Sequence, residues 1–281
     1  NIGGTFNANS YVGGVFGQLN SIPKAVTTVK NYGNINYKSS AKVNAQLCVG
    51  GLVGNIDGAG NHNNDYYVKN LENNGKLSFE KNSEFAATVF AGGLIGYGKG
   101  PRMVDIQNNG AIEMSGKFNS RLCVGGIIGC NTTMFVNDGT EVAAVNSATG
   151  TISITADAIC SKEIFAGGIV GFFRGSGGYG RVSKATNHAN ISIAGVHTVE
   201  RFEVGGVIGW MYNETSACAD NTNNGKVTIA EGFVTASLLF CVGAMTIIGS
   251  LESGLKGDHT TIFTKSILDL FSSCMLSASL G

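Results

Sequence analysis

The sequence predicts an all-β chain coiled into a parallel β-solenoid (β-helix) of about seven coils, roughly 38 residues and three short strands each. Three features carry this reading. A glycine-rich hexapeptide recurs: VGGVFG from Val12, VGGLVG from Val49, AGGLIG from Ala91, VGGIIG from Val124, AGGIVG from Ala166 and VGGVIG from Val204, with a worn copy, CVGAMTIIG, at Cys241–Gly249. A second motif, Asn-x-Gly-x-apolar-x-apolar, alternates with it, as in NYGNINY from Asn31, NNGKLSF from Asn73, NNGAIEM from Asn108 and NNGKVTI from Asn223. Between the two, no apolar spacing of helical period intervenes.

The Asn-x-Gly strand has period two. Ile35 and Tyr37 alternate with Asn34 and Asn36, and Leu77 and Phe79 with Lys76, Ser78 and Glu80, so one face is buried and one wet. Stacking puts Ile35, Leu77, Ile112, Ile152, Ile191 and Val227 in one inner column of branched aliphatics. The preceding Asn-x-Gly reads as a turn, since Asn and Gly tolerate left-handed backbone. A weaker strand precedes each turn, at Val26–Val29, Met103–Ile106 and Val142–Val145.

The Gly-Gly stretch, read as one strand, is apolar or bare on both faces, the pattern of a strand buried on two sides. Its glycines, Gly50, Gly51, Gly92, Gly93, Gly125, Gly126, Gly167, Gly168, Gly205 and Gly206, are expected to serve packing or assembly, because missing side chains allow close approach of another backbone. The covering layer is either the chain's own long loops or a second copy of the protein. Glu203 breaks the column Cys48, Phe90, Cys123, Phe165, Cys241. The repeat domain is drawn over residues 1–251, with 252–281 a degenerate last coil or a C-terminal cap. Phe233–Leu251 carries no charge and is read as a buried strand in register with the repeat, without membrane insertion.

Composition narrows function by exclusion. Lys+Arg and Asp+Glu are both 19, for a net charge of zero, which removes the electrostatic argument for nucleic acid. The 42 Gly and 2 Pro do not make a collagen. Seven Cys leave at least one unpaired or intermolecular, and no close CxxC pair suggests zinc. The start at Asn1 reads as a processed leader or a fragment. The sequons Asn131, Asn190 and Asn213 are candidate glycosylation sites of a secreted glycoprotein.

No catalytic, cofactor or metal residue is assigned. The Gly-Gly strings repeat where a nucleotide fingerprint would occur once. The oxygen-rich loop Asp57–Asp65 reads as polar surface, and His62, His188, His197 and His259 are scattered. Carboxylates are not paired as a glycosidase needs. The chain is therefore expected not to be an enzyme. Tyr66, Tyr67, Phe172, Phe173, Tyr179 and Trp210, with Arg174, are the side chains that a glycan-binding alternative would use.

The GGLVG and GGIIG strings with their spacing resemble the Glug-motif repeats of bacterial extracellular proteins, over about residues 12–249. The resemblance implies a non-catalytic structural or adhesive role outside the cell. With few residues left for caps, open strand edges point to head-to-tail self-association, as a homopolymeric fibril or a cell-surface stalk or adhesin. Surface glycans are the other expected partner.

Overall fold

The computed structural model describes residues 1–20, 25–58, 67–100, 102–132, 135–136, 144–175, 181–212, 217–229, 244–267 and 269. The chain divides into two compact units, Asn1–Thr228 and Ile229–Gly281. The first is a parallel β-solenoid of about five turns, roughly 38 residues apart.

One coil shows the plan. The chain runs through Leu77–Phe79 and Glu84–Phe85 in a first sheet and Val89–Gly92 in a second. It then follows Ile95–Lys99 in a third and Arg102–Asn108 in a fourth, and re-enters the first at Ile112–Met114. Neighbouring coils pair in parallel register, so that Ile35, Leu77, Ile112, Ile152 and Ile191 form one column, as expected. All five are buried, whereas Val227 at the end of the stack is 37 % exposed. The upstream strands also form, as Ala25–Asn31, Arg102–Asn108 and Ala144–Asn146.

The Gly-Gly stretch is two strands, not the single one expected. Leu47–Gly50 lies in the second sheet and Val53–Asp57 in the third, and the chain folds back between them. Each glycine has a steric reason. A Cβ on Gly50 would overlap the Val53 carbonyl oxygen across the fold. One on Gly51 would strike the Gly93 carbonyl oxygen and the Asn73 side chain of the next coil. One on Gly54 would meet the backbone of Val12 and Gly17 in the coil before. The layer that these glycines admit within the solenoid is thus the chain's own backbone and asparagines.

The asparagines form a column of their own. Asn31, Asn73, Asn108, Asn146 and Asn187 each donate from Nδ2 to the Oδ1 of the next, ending on Asn223, at 2.9–3.0 Å. The turns after Asn31, Asn73, Asn108, Asn187 and Asn223 close on the same amide, as where Asn73 Nδ2 donates to the Gly75 carbonyl at 2.8 Å and Gly75 N–H donates to Asn73 Oδ1 at 3.1 Å; the turn after Asn146 closes instead through Gly150 N–H on the Ser147 carbonyl at 2.9 Å. This corrects the turn's rationale. Left-handed backbone is not what selects glycine there, since Gly33, Gly75 and Gly110 are absent from the positive-φ residues. A Cβ on Gly75 would instead overlap the Gly33 carbonyl oxygen.

Three apolar clusters result. Between the first and second sheets, Tyr37 stacks on Phe79 at 4.8 Å and Phe85 on Phe118 at 5.1 Å. Between the third and fourth, Leu52, Leu94, Ile127 and Ile169 fill the interior. The third lies between the second and third sheets and is described below.

The described part of the seventh copy of the repeat, Ala244–Gly249, is helical. It belongs to helix α1 (Ala244–Lys256), which replaces the buried strand expected there. The reason is local. Ala244 stands where the second glycine should be, and in every described coil a Cβ at that place overlaps backbone or asparagine. Helix α1 ends at Gly257, whose φ of +66° suits a left-handed helix terminus. Asp258 Oδ1 then accepts from Thr260 N–H at 3.0 Å and opens α2, residues 260–267. The proposed last-coil residues 274–281 lie outside the described residues.

Candidate functional site

The fold-back of the second sheet onto the third leaves a V-shaped cleft. Its walls are the alternate faces of the strands flanking the Gly-Gly pairs. One wall carries Tyr11, Cys48, Phe90, Cys123 and Phe165, and the other Tyr97, Cys130, Phe172 and Trp210. Deep in the cleft the thiols are inert. Burial pushes Cys48 up to about 11 and raises Cys123 and Cys130 further, so all three stay protonated at neutral pH. The five described cysteines, Cys48, Cys123, Cys130, Cys160 and Cys218, are all free thiols.

At the mouth the chemistry changes. Arg121, Glu163 and Arg201 are register partners on three successive strands, so charges alternate in sign along the column. Arg121 Nε donates to Glu163 Oε2 at 2.6 Å, and its guanidinium lies 5.3 Å from the Phe172 ring centre. Arg201 lies 3.8 Å from the centre of the Trp210 ring. Trp210 in turn stacks on Phe172 at 4.7 Å with the planes 7° apart. Opposite, Arg174 and Tyr212 are register partners at the outer end of the third sheet. Arg121, Phe172, Arg174, Trp210 and Tyr212 together line a cavity of about 250 Å³.

Of the aromatics expected to group, Phe172 and Trp210 meet here. Phe173, one residue on, points into the core between the third and fourth sheets, while Tyr67 opens a strand of the fourth sheet. Tyr66 and Tyr179 lie outside the described residues. Arg121, Arg201 and Tyr212 were not foreseen. Their signal was positional: Arg121 lies two residues before Cys123, so period two puts both on the cleft face.

The remaining site expectations resolve individually. Gly50, Gly51, Gly92, Gly93, Gly125, Gly126, Gly167, Gly168, Gly205 and Gly206 all abut protein atoms of the solenoid itself. Asn131 is fully buried in the third sheet, which leaves no room for a glycan. Asn190 is exposed, and Asn213 lies outside the described residues. Asp57 pairs with Lys99 at 3.5 Å, and its loop beyond Gly58 is outside the described residues. Among the described residues no group of three His, Cys, Asp or Glu side chains is placed to hold a metal.

A glycine-arched solenoid with a cationic aromatic cleft, continued by a helical unit, is the class of protein these features define. Residues 120–281 match the family described as "Protein of unknown function (DUF554)". That is more than half of the chain, and the chain belongs to this family. It is 32 % identical over 101 residues to a protein named "Uncharacterized membrane protein YdfK" of Bacillus subtilis (strain 168), an alignment covering 36 % of this chain and 44 % of that relative. The chain thus spans less than half of that relative's length. No solved structure matches it.

These matches overturn the Glug-motif resemblance. The GGxxG glycines meet the steric needs of the arch. With that resemblance fall a secreted or extracellular location and an extracellular fibre, stalk or adhesin. The named relative is a membrane protein. Among the described residues of this chain, no helix is long and apolar enough to cross a membrane.

Proposed function

We propose that this chain is a non-catalytic, membrane-attached scaffold, in which the helical C-terminal unit holds to a lipid bilayer and the solenoid presents its cleft. One observation carries the reading. Ile248, Leu251 and Leu255 are spaced i, i+3, i+7 on α1 and are 52 %, 55 % and 80 % exposed. Residues at that spacing share one helical face, and such a face against water is unfavourable. Phe263 and Ile267, four apart on α2, are exposed too. The name of the Bacillus relative supports the same environment, and the uncharged run Phe233–Leu251 leads into it.

The non-catalytic part is supported by where the acidic side chains go. Glu72, Glu80 and Glu163 tie one coil to its neighbour through Lys30, Lys38 and Arg121, so they act as struts. The zero net charge supports the absence of a nucleic-acid partner.

Flotation of the full chain with phosphatidylcholine–phosphatidylglycerol vesicles tests attachment. Binding is expected to persist in high salt, because apolar burial rather than charge drives it. Leu251→Glu/Leu255→Glu is expected to lower partitioning at least about tenfold. A full chain that stays with the soluble fraction, or a double variant that floats equally well, refutes the reading.

A further inference from the structure

The mouth of the cleft has the composition of a binding site that the scaffold does not need. We infer that it takes a small planar organic anion, specifically an aromatic carboxylate. This assignment is independent of membrane attachment.

Charge is the first argument. Several basic side chains of the described solenoid have a carboxylate partner, as in Lys30–Glu72, Lys38–Glu80 and Arg121–Glu163. Arg174 is exposed at the cavity and has no carboxylate within ion-pair distance among the described residues. A guanidinium offers a planar fork matched to a carboxylate. Across the cavity, Glu163 fixes Arg121 through its Nε, which places a second guanidinium on the lining without leaving it mobile.

Shape is the second argument. The floor is aromatic: Phe172 and Trp210 are stacked, and Tyr212, 58 % exposed, leans against Trp210 with ring centres 5.6 Å apart. An exposed tyrosine ring with a polar tip suits a flat ring laid against it. A cavity of about 250 Å³ is below the range of about 300–1,000 Å³ typical for drug-sized ligands, which limits the occupant to about one ring and its acid group. A neutral sugar of that size would leave the Arg174 charge unmatched.

Trp210 is the sole tryptophan of the chain, so its emission reports occupancy directly. The full chain is titrated with benzoate, with its uncharged amide, benzamide, with the non-planar cyclohexanecarboxylate, and with inorganic phosphate, each checked by calorimetry. Benzoate is expected to saturate and to bind at least tenfold more tightly than the other three. Arg174→Gln is expected to weaken benzoate at least tenfold, and Tyr212→Ala severalfold. Both residues are exposed, so circular dichroism should be unchanged. The assignment is overturned by benzoate failing to saturate at millimolar concentration, by benzamide, cyclohexanecarboxylate or phosphate binding equally well, or by Arg174→Gln leaving benzoate affinity intact.

Discussion

At the residue scale, Tyr37 stands out in the first core. It is 1 % exposed, stacked on Phe79, and its hydroxyl has no hydrogen-bond partner. Burial drives that hydroxyl well above the usual tyrosine range. A buried hydroxyl without a partner costs roughly 1–3 kcal/mol, while the ring itself packs well. Tyr37→Phe keeps the ring and removes the cost. It is expected to stabilise the protein by about 1 kcal/mol in urea unfolding. A second local strain repeats along the fourth sheet. Thr28, Asn70, Asp105, Lys184 and Asp220 all have φ of 50–57° at equivalent places, and no sequence pattern announced it, because only three of the five are Asn or Asp.

At the element scale, neighbouring coils are tied by polar struts on the wet face of the first sheet. Glu80 is the best connected of them. It accepts from Asn36 Nδ2 at 2.8 Å, from Ser39 N–H at 3.1 Å and from Ser39 Oγ at 3.3 Å, and pairs with Lys38 at 3.0 Å. The Asn36 bond first, then Lys38 and Ser39, hold its carboxyl down at about 2. A depressed carboxylate stabilises the fold above its unfolded pKa of about 4.3. That contribution fades as pH falls through 2. Glu80→Gln is therefore expected to lower the urea midpoint at pH 7 and to flatten its decline between pH 5 and pH 2. Equal declines in the two proteins would remove Glu80 from this role. The alternation of Lys76, Ser78 and Glu80 with Leu77 and Phe79 placed Glu80 on this face from sequence alone, but its partners are 41–44 residues distant and had no local signal.

At the scale of the whole molecule, a solenoid is close to one-dimensional, so its stability is near a sum of coils and nearest-neighbour contacts. The asparagine column makes this measurable. Asn108, fully buried in mid-stack, accepts from Asn73 and donates to Asn146 and to the Gly110 carbonyl. Asn108→Ala would leave one buried Asn73 N–H, the buried Asn146 Oδ1 and the Gly110 turn without their partner, at a cost of about 3–5 kcal/mol. Asn223 ends the column and is exposed, and Asn187 keeps its bond to the Ala189 carbonyl without it. Asn223→Ala is expected to cost about 1 kcal/mol. Comparable losses in calorimetry would mean that the column does not act through neighbour coupling.

The sequence by itself determined the parallel solenoid, its period and the aliphatic column from Ile35 to Ile191. All three follow from repetition and period-two alternation, which are local properties of the chain. Only the tertiary structure decided what the glycines are for, since a missing Cβ is silent about which atom fills its place; here Val53, Gly93 and Asn73 do. It also decided that Ala244–Gly249 is helical rather than a strand of the repeat, because one methyl group at the arch cannot be read as a clash until the opposing backbone is in view. The cleft mouth was settled the same way. Arg121, Arg174 and Tyr212 come from different coils and are brought to one cavity by stacking, which sets distance in space without regard to distance along the chain.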